Sequence, residues 1–201
     1  MSVAKNIKNQ IKKIPLSEPF TSSHFLTFGT RASVDKAMSR LVKEGFIERV
    51  ARGVFYRPKK SHFIGKVVPE LSSILAVIAQ AHGETIQIHG AEAARQFKLS
   101  TQMPTTPVYY TNGTAREIII GKLNVKLIHT SSQRKLQYAG KKLGMALSAL
   151  WYIGKEQINN QVIHHVHERL SAQEFKLLKS TSMPAWMRQA IDNYNQGEMN
   201  A

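Results

Sequence analysis

The chain has 201 residues, 42% of them hydrophobic, with no Cys and with 28 Lys or Arg against 13 Asp or Glu, a formal net charge of +15. That length suits one large domain or two small ones, and the lack of Cys excludes disulfides, thiolate zinc sites and Cys nucleophiles and fits a reducing cytoplasm. The apolar runs ILAVIA and ALSALWYI are far too short to span a bilayer, and the basic N-terminus has no apolar signal segment, so a cytoplasmic chain without a membrane partner is expected.

Val3, Ile7, Ile11 and Ile14 recur at helical spacing until Pro15, which predicts a first amphipathic helix. TSSHFLTFG, residues 21–29, reads as a short helix opened by Thr21 or Ser22 and closed at Gly29. Thr30 caps a longer helix whose Val34, Ala37, Met38, Leu41 and Val42 form one apolar stripe, and Gly45 suits its left-handed C-terminal cap. FIERV and VFYRP are rich in β-formers, and Ala51, Arg52 and Gly53 between them suit a hairpin loop. The order helix, short helix, helix, hairpin predicts a winged helix-turn-helix over residues 1–62.

Charge concentrates in the same region. Residues 1–60 hold 13 Lys or Arg and 4 acids, whereas residues 61–201 hold 15 and 9. An excess gathered on one motif is the footprint of a nucleic-acid surface. The helix from Thr30 is sized for a major groove, with the hairpin as a wing beside it. The DNA-binding candidates are Ser22, Thr30, Arg31, Ser33, Lys36 and Arg40 around that helix. Arg49, Arg52, Arg57, Lys59 and Lys60 follow on the wing, where they would hold phosphates.

A linker is expected over RPKKSHFIGK, residues 57–66, and a second domain over residues 67–201. That domain begins with the apolar helix ELSSILAVIAQAHG. A strand TIQIHG, a helix AEAARQFKL, a strand TPVYYTNG and a hairpin from REIIIG and NVKLIHT follow. From about Lys135 the pattern is helical, anchored by GKKLGMALSALWYI and broken near Pro184. The expected class is α+β: a winged helix-turn-helix, then a mixed α/β domain with a helical C-terminus.

The segment IHGAEAARQFKLSTQMPTTPVYYTNGTAREIIIG, Ile88 to Gly121, resembles the AbiEi family of antitoxins from type IV abortive-infection toxin–antitoxin systems. Its features are the Gly-Ala-Glu-Ala-Ala opening, the LSTQMP turn, the strand ending at TNG and the hairpin that follows. SVDKAMSRLVKEGFIERVARGVFY looks like the winged helix that precedes this domain in that family. The resemblance covers roughly residues 15–135. It implies a bacterial autorepressor whose winged helix binds inverted repeats in double-stranded DNA at its own promoter. It also implies a second domain with antitoxin activity in phage defence. The functional partner would be a nucleotidyltransferase-like toxin, opposed without necessarily forming a stable complex.

The residues argue against an enzyme. Metal-dependent nucleases and nucleotidyltransferases need clustered carboxylates, and this chain has two Asp, Asp35 and Asp192, no tight Glu pair and no Gly-rich phosphate loop. No cofactor is expected. In HHVHER, His164, His167 and Glu168 can share a helix face, but no further ligand accompanies them, so no metal is expected either. His24, His62, His82, His89 and His129 are scattered and read as surface or core-edge residues. Arg134, Lys135, Lys141 and Lys142 are either a second basic patch or a plain charged helix start. The alternative function is a winged-helix regulator without a toxin partner, whose second domain senses a ligand or mediates assembly.

Overall fold

The computed structural model describes residues 2–61, 65–102 and 105–194. His62, part of the expected linker and the Met-Pro of LSTQMP lie outside the described residues. The fold is mixed α+β, and its contacts divide it into two compact units: residues 1–84 with 118–123, and residues 85–117 with 124–201.

The first unit opens with helix α1 (Val3–Lys13), capped by the Ser2 hydroxyl and ended at Ile14, whose extended backbone is what the following Pro15 favours. Strand β1 (Pro19–Thr21) leads into a 3-10 helix, Ser22–Phe28. The expected Thr21 cap does not form; the Thr21 hydroxyl lies 2.6 Å from that of Ser23 instead. Helix α2 (Arg31–Lys43) starts at Thr30, whose hydroxyl accepts from the Ser33 N–H, and Gly45 beyond its end takes the left-handed conformation. Strands β2 (Glu48–Ala51) and β3 (Val54–Tyr56) form the expected hairpin, with Gly53 left-handed in its turn.

These strands and β1 make one antiparallel sheet in the order β1-β3-β2, with Phe20 opposite Phe55 and Arg49 opposite Phe55 on the other side. The apolar stripe of α2, Val34, Ala37, Met38 and Leu41, is buried in one cluster with Ile7, Ile11, Phe20, Phe25 and Phe55. Phe20 meets Phe25 edge-on at 5.7 Å and stacks on Phe55 at 6.4 Å.

Where a linker was expected, the chain forms a two-stranded ribbon. Strand β4 (Lys59–Ser61) pairs antiparallel with β5 (Gly65–Val67). Its base is tied down by Ser17, whose N–H donates to the Arg57 carbonyl and whose hydroxyl donates to the Val67 carbonyl. Helix α3 (Leu71–His82), closed by left-handed Gly83, then packs on β1 and β3. Its contacts with those strands place it in the first compact unit, whose main run ends at Glu84.

The second unit contains strands β6 (Ile86–Ile88), β7 (Val108–Thr111), β8 (Arg116–Ile120) and β9 (Leu123–His129), ordered β6-β7-β9-β8, with the tip of the β8–β9 hairpin counted in the first unit. β6 runs antiparallel to β7, and β9 runs parallel to it. Helix α4 (Gly90–Gln96) follows β6, and helices α5 (Gln133–Leu136), α6 (Lys142–Ile153), α7 (Asn160–Arg169), α8 (Ala172–Ser180) and α9 (Ala185–Asp192) follow β9. α6 is the axis of this core: Ala146, Ala149 and Leu150 are fully buried among Ala93, Ala94, Ile163, Val166, Leu178 and Met187. Among the described residues no helix is long and apolar enough to cross a membrane.

Gly144 shows how tight that core is. A Cβ there would collide with the carbonyl oxygens of Tyr138 and Gln137 and with the side-chain amide of Gln87, which itself donates to Gln137. Backbone oxygens cannot swing aside. Gly144→Ala is therefore expected to destabilise the protein by about 1–3 kcal/mol, measured as a lower urea midpoint at unchanged slope.

Candidate nucleic-acid interface

With the stripe of α2 buried, its opposite face is set by helical periodicity. Lys36, Arg40 and Lys43 fall within about 60° of one another around the axis and are exposed. Among the described residues these three have no ion-pair or hydrogen-bond partner, and the same holds for Arg52 in the hairpin turn and Lys59 on β4.

Lys5, Lys12 and Lys13 of α1 are exposed and likewise unpaired among the described residues, whereas three other cations of this unit are engaged. Arg31 lies about 140° around the helix from Lys36 and holds Asp35 at 2.8 Å. Lys8 holds Glu44 at 2.9 Å, its ammonium 4.9 Å from the Phe46 ring centroid. Lys66 on β5 pairs with Glu48 on β2. Three of the four acids of residues 1–60 are thus matched by a cation.

The remaining candidates divide sharply. Thr30 and Ser33 build the helix cap: the Ser33 hydroxyl donates to the Thr30 carbonyl at 2.8 Å. Arg49 is exposed on β2, its Nε donating to the Ala51 carbonyl at 3.3 Å across the bulge of that strand. Ser22 is only 3% exposed, and its N–H donates to the Gly53 carbonyl. A hydroxyl buried under the hairpin turn cannot reach a phosphate. Arg57 is committed inward: its Nη2 donates to the Ile14 carbonyl at 2.9 Å and its Nε is buried without a partner. It ties the end of β3 to the end of α1. Lys60 lies on β4, and its side chain is outside the described part of the structure.

The cations around Lys135, read as a second basic patch or a plain charged helix start, are split too. Arg134, Lys141 and Lys142 are exposed, whereas Lys135 is half-buried with its ammonium over the Tyr110 and Trp151 rings. In α7, the Tyr194 hydroxyl lies 2.9 Å from His164 Nδ1, and His167 packs edge-on against Phe175 at 4.6 Å. Among the described residues no group of three or more His, Cys, Asp or Glu is placed to hold a metal ion. His82 and His129 donate to the carbonyls of Ile78 and Gly113.

Residues 6–178 match the model of a family described as "Family of unknown function (DUF6088)". The chain belongs to this family. No curated protein and no solved structure matches it. The description of DUF6088 names no activity, so the chemistry of this member has to be argued from its own residues.

Sequence reasoning missed the partner of Glu48. Lys66 is eighteen positions away and meets Glu48 because the β4–β5 ribbon folds back beside β2. The Lys66 ammonium, hydrogen-bonded to the carboxylate, holds Glu48 below the usual carboxyl range despite some burial. Burial, reinforced by the hydrogen bond to Glu48, pushes the Tyr56 hydroxyl up to about 12. A carboxyl depressed by folding adds stability above its unfolded value, about 4.5, and loses it as pH falls through the lower folded value. Lys66→Met should therefore lower the melting temperature at pH 7. The difference from the parent should shrink as the pH is taken from 5 toward 3, as followed by circular dichroism.

Proposed function

We propose that this chain is a DNA-binding transcriptional repressor whose first unit acts as a winged helix-turn-helix, with α2 as recognition helix and the β2–β3 hairpin as wing. The observation that supports it best is the set of unpaired, exposed cations on that framework. Lys36, Arg40 and Lys43 form one outward strip of α2, with Arg52 at the hairpin turn and Lys59 on the adjoining ribbon. A strand between the first and second helical segments that joins the hairpin, in the order β1-β3-β2, is in keeping with that motif. In this reading Lys36 and Arg40 reach base edges, while Arg52, Lys59 and Arg49 hold phosphates.

The wider role follows the resemblance of residues 88–121 and of the N-terminal segment to AbiEi antitoxins. We read the chain as the autorepressor and antitoxin of a type IV system, not an enzyme. It binds inverted repeats at its own promoter and opposes a nucleotidyltransferase-like toxin. That part of the proposal rests on the sequence resemblance alone.

Fluorescence anisotropy of the full chain on its own upstream DNA tests the first part. Affinity should fall steeply with added salt as phosphate contacts release counterions. Lys36→Ala or Arg40→Ala should cost about 1–3 kcal/mol and relax preference at one base pair, while Arg52→Ala weakens all sequences alike. A flat salt response, or unchanged affinity in the Lys36→Ala/Arg40→Ala double variant, would overturn the reading.

Growth of cells co-expressing the chain with its neighbouring gene product tests the second part. Rescue that survives the Lys36→Ala/Arg40→Ala double variant is expected if repression and antitoxin action are separate. A neighbouring product that leaves growth unaffected without this chain would count against the antitoxin role and favour a regulator with no toxin partner.

A further inference from the structure

The second unit holds a cavity that the DNA-binding reading leaves unused. It measures about 210 Å³ and is lined by His89, Tyr110, Lys135, Ser148, Trp151 and Tyr152, with Gly90 at the close contact between α4 and α6. These residues come from the start of α4, from β7, from α5 and from α6, so the fold alone assembles them.

Three features give the cavity a chemical preference. The first is an unmatched cation. The Lys135 ammonium lies 5.1 Å from the Tyr110 ring centroid and 5.7 Å from that of Trp151, and no carboxylate lines the cavity among the described residues. Ring faces stabilise the ammonium without neutralising it, so a second cation is repelled and an anion is attracted.

The second is an unused hydroxyl. Ser148 is 4% exposed, lines the cavity and has no hydrogen-bond partner among the described residues. A hydroxyl that faces a cavity and has no protein partner can bond a ligand oxygen without giving up a contact of its own. The third is an aromatic lining, in which the His89 ring is tilted against Tyr110 at 4.9 Å and meets Tyr152 edge-on at 6.4 Å. Burial first, and then Lys135, holds His89 below its usual range. Its Nδ1 accepts from the Ala91 N–H at 3.4 Å, so the neutral ring carries its proton on Nε2. His89 is therefore a donor and not a second charge. Aromatic surface, one cation and two neutral donors suit a planar, anionic molecule, and the volume lies below the usual range for drug-sized ligands.

We propose that this cavity binds a small planar anion, a conjugated ring bearing a single carboxylate or phosphate group. The anionic group sits against Lys135 and Ser148, and the ring lies along Tyr110 and Trp151. A free aromatic carboxylate and a mononucleotide share that chemistry, and the arms of the test separate them. The inference does not depend on DNA binding, because all of its residues lie in the second unit.

The test is isothermal titration of the full-length protein with 4-hydroxybenzoate and with uridine 5′-monophosphate. Inorganic phosphate, which has no ring, and uridine, which has no charge, serve as controls. One of the two ring-bearing anions should bind with Kd below about 1 mM and both controls should be at least tenfold weaker. Whichever anion binds identifies the source. Lys135→Gln should weaken binding at least tenfold and Ser148→Ala about fivefold, while Lys141→Gln, outside the cavity, should leave it unchanged. Should Lys135→Gln fail to fold by circular dichroism, Ser148→Ala decides the matter, since its hydroxyl holds nothing in the folded chain. Binding of neither anion, equal binding of phosphate or uridine, or affinity indifferent to the folded variants would overturn the proposal.

Discussion

Val34, Ala37, Met38 and Leu41 of α2 are buried with Ile7, Ile11, Phe20 and Phe25, and this one packing contact orients the charges of the first unit. Burying a side chain of that kind contributes about 1.5–3 kcal/mol. An exposed ion pair such as Arg31–Asp35 contributes about 0–1 kcal/mol. Four buried apolar residues therefore decide the rotation of the helix, and the cations take whatever direction remains. That direction carries Lys36, Arg40 and Lys43 outward together.

Pairing then sorts the cations further. Lys8, Arg31 and Lys66 each hold a carboxylate, and Arg57 spends a guanidinium nitrogen on the Ile14 carbonyl. Lys8 links α1 to the segment after α2, Arg57 links the end of α1 to the end of β3, and Lys66 links the ribbon to β2. What they leave is a smaller set of free cations than the composition implies, on the α2 face, the hairpin turn and the ribbon, with Lys5, Lys12 and Lys13 on α1. The excess charge of the chain is thus partly structural, and only the remainder is available to a polyanion.

The second unit is governed by close approach. Gly90 lets α4 come against Tyr152 and Ser148 of α6, and Gly144 lets the start of α6 meet the chain at Tyr138. Small residues at these contacts allow α4, α5, β7 and α6 to converge, and their larger side chains surround the cavity at the convergence. Lys135 is drawn over Tyr110 and Trp151 there, while its neighbour Arg134 stays in solvent.

Much of this was legible along the chain. The stripe of α2, its Thr30 cap, left-handed Gly45, Gly53 and Gly83 and the alternating strands are local features, set by residues within a few positions of one another. Local chemistry also explains why Lys36, Arg40 and Arg52 could be named as exposed cations. Two misreadings were local, the Thr21 cap and the Arg31 held by Asp35, and the rest were of contacts made over distance. Ser22 is buried by a hairpin turn thirty-one positions on, and Arg57 is recruited by a carbonyl forty-three positions back. The KKS and GKV runs pair as a ribbon although neither has a strong strand signal, and α3 joins the unit before it rather than the one after. The parallel pairing of β7 with β9, and the cavity that gathers His89, Lys135 and Ser148, follow from the same cause. Sequence by itself determined the elements and the faces they bury, because propensity, capping and periodicity act within a turn or a strand. The tertiary structure decided which polar groups are free and which are held, because a hydrogen bond or an ion pair depends on which distant residue the packing brings to it.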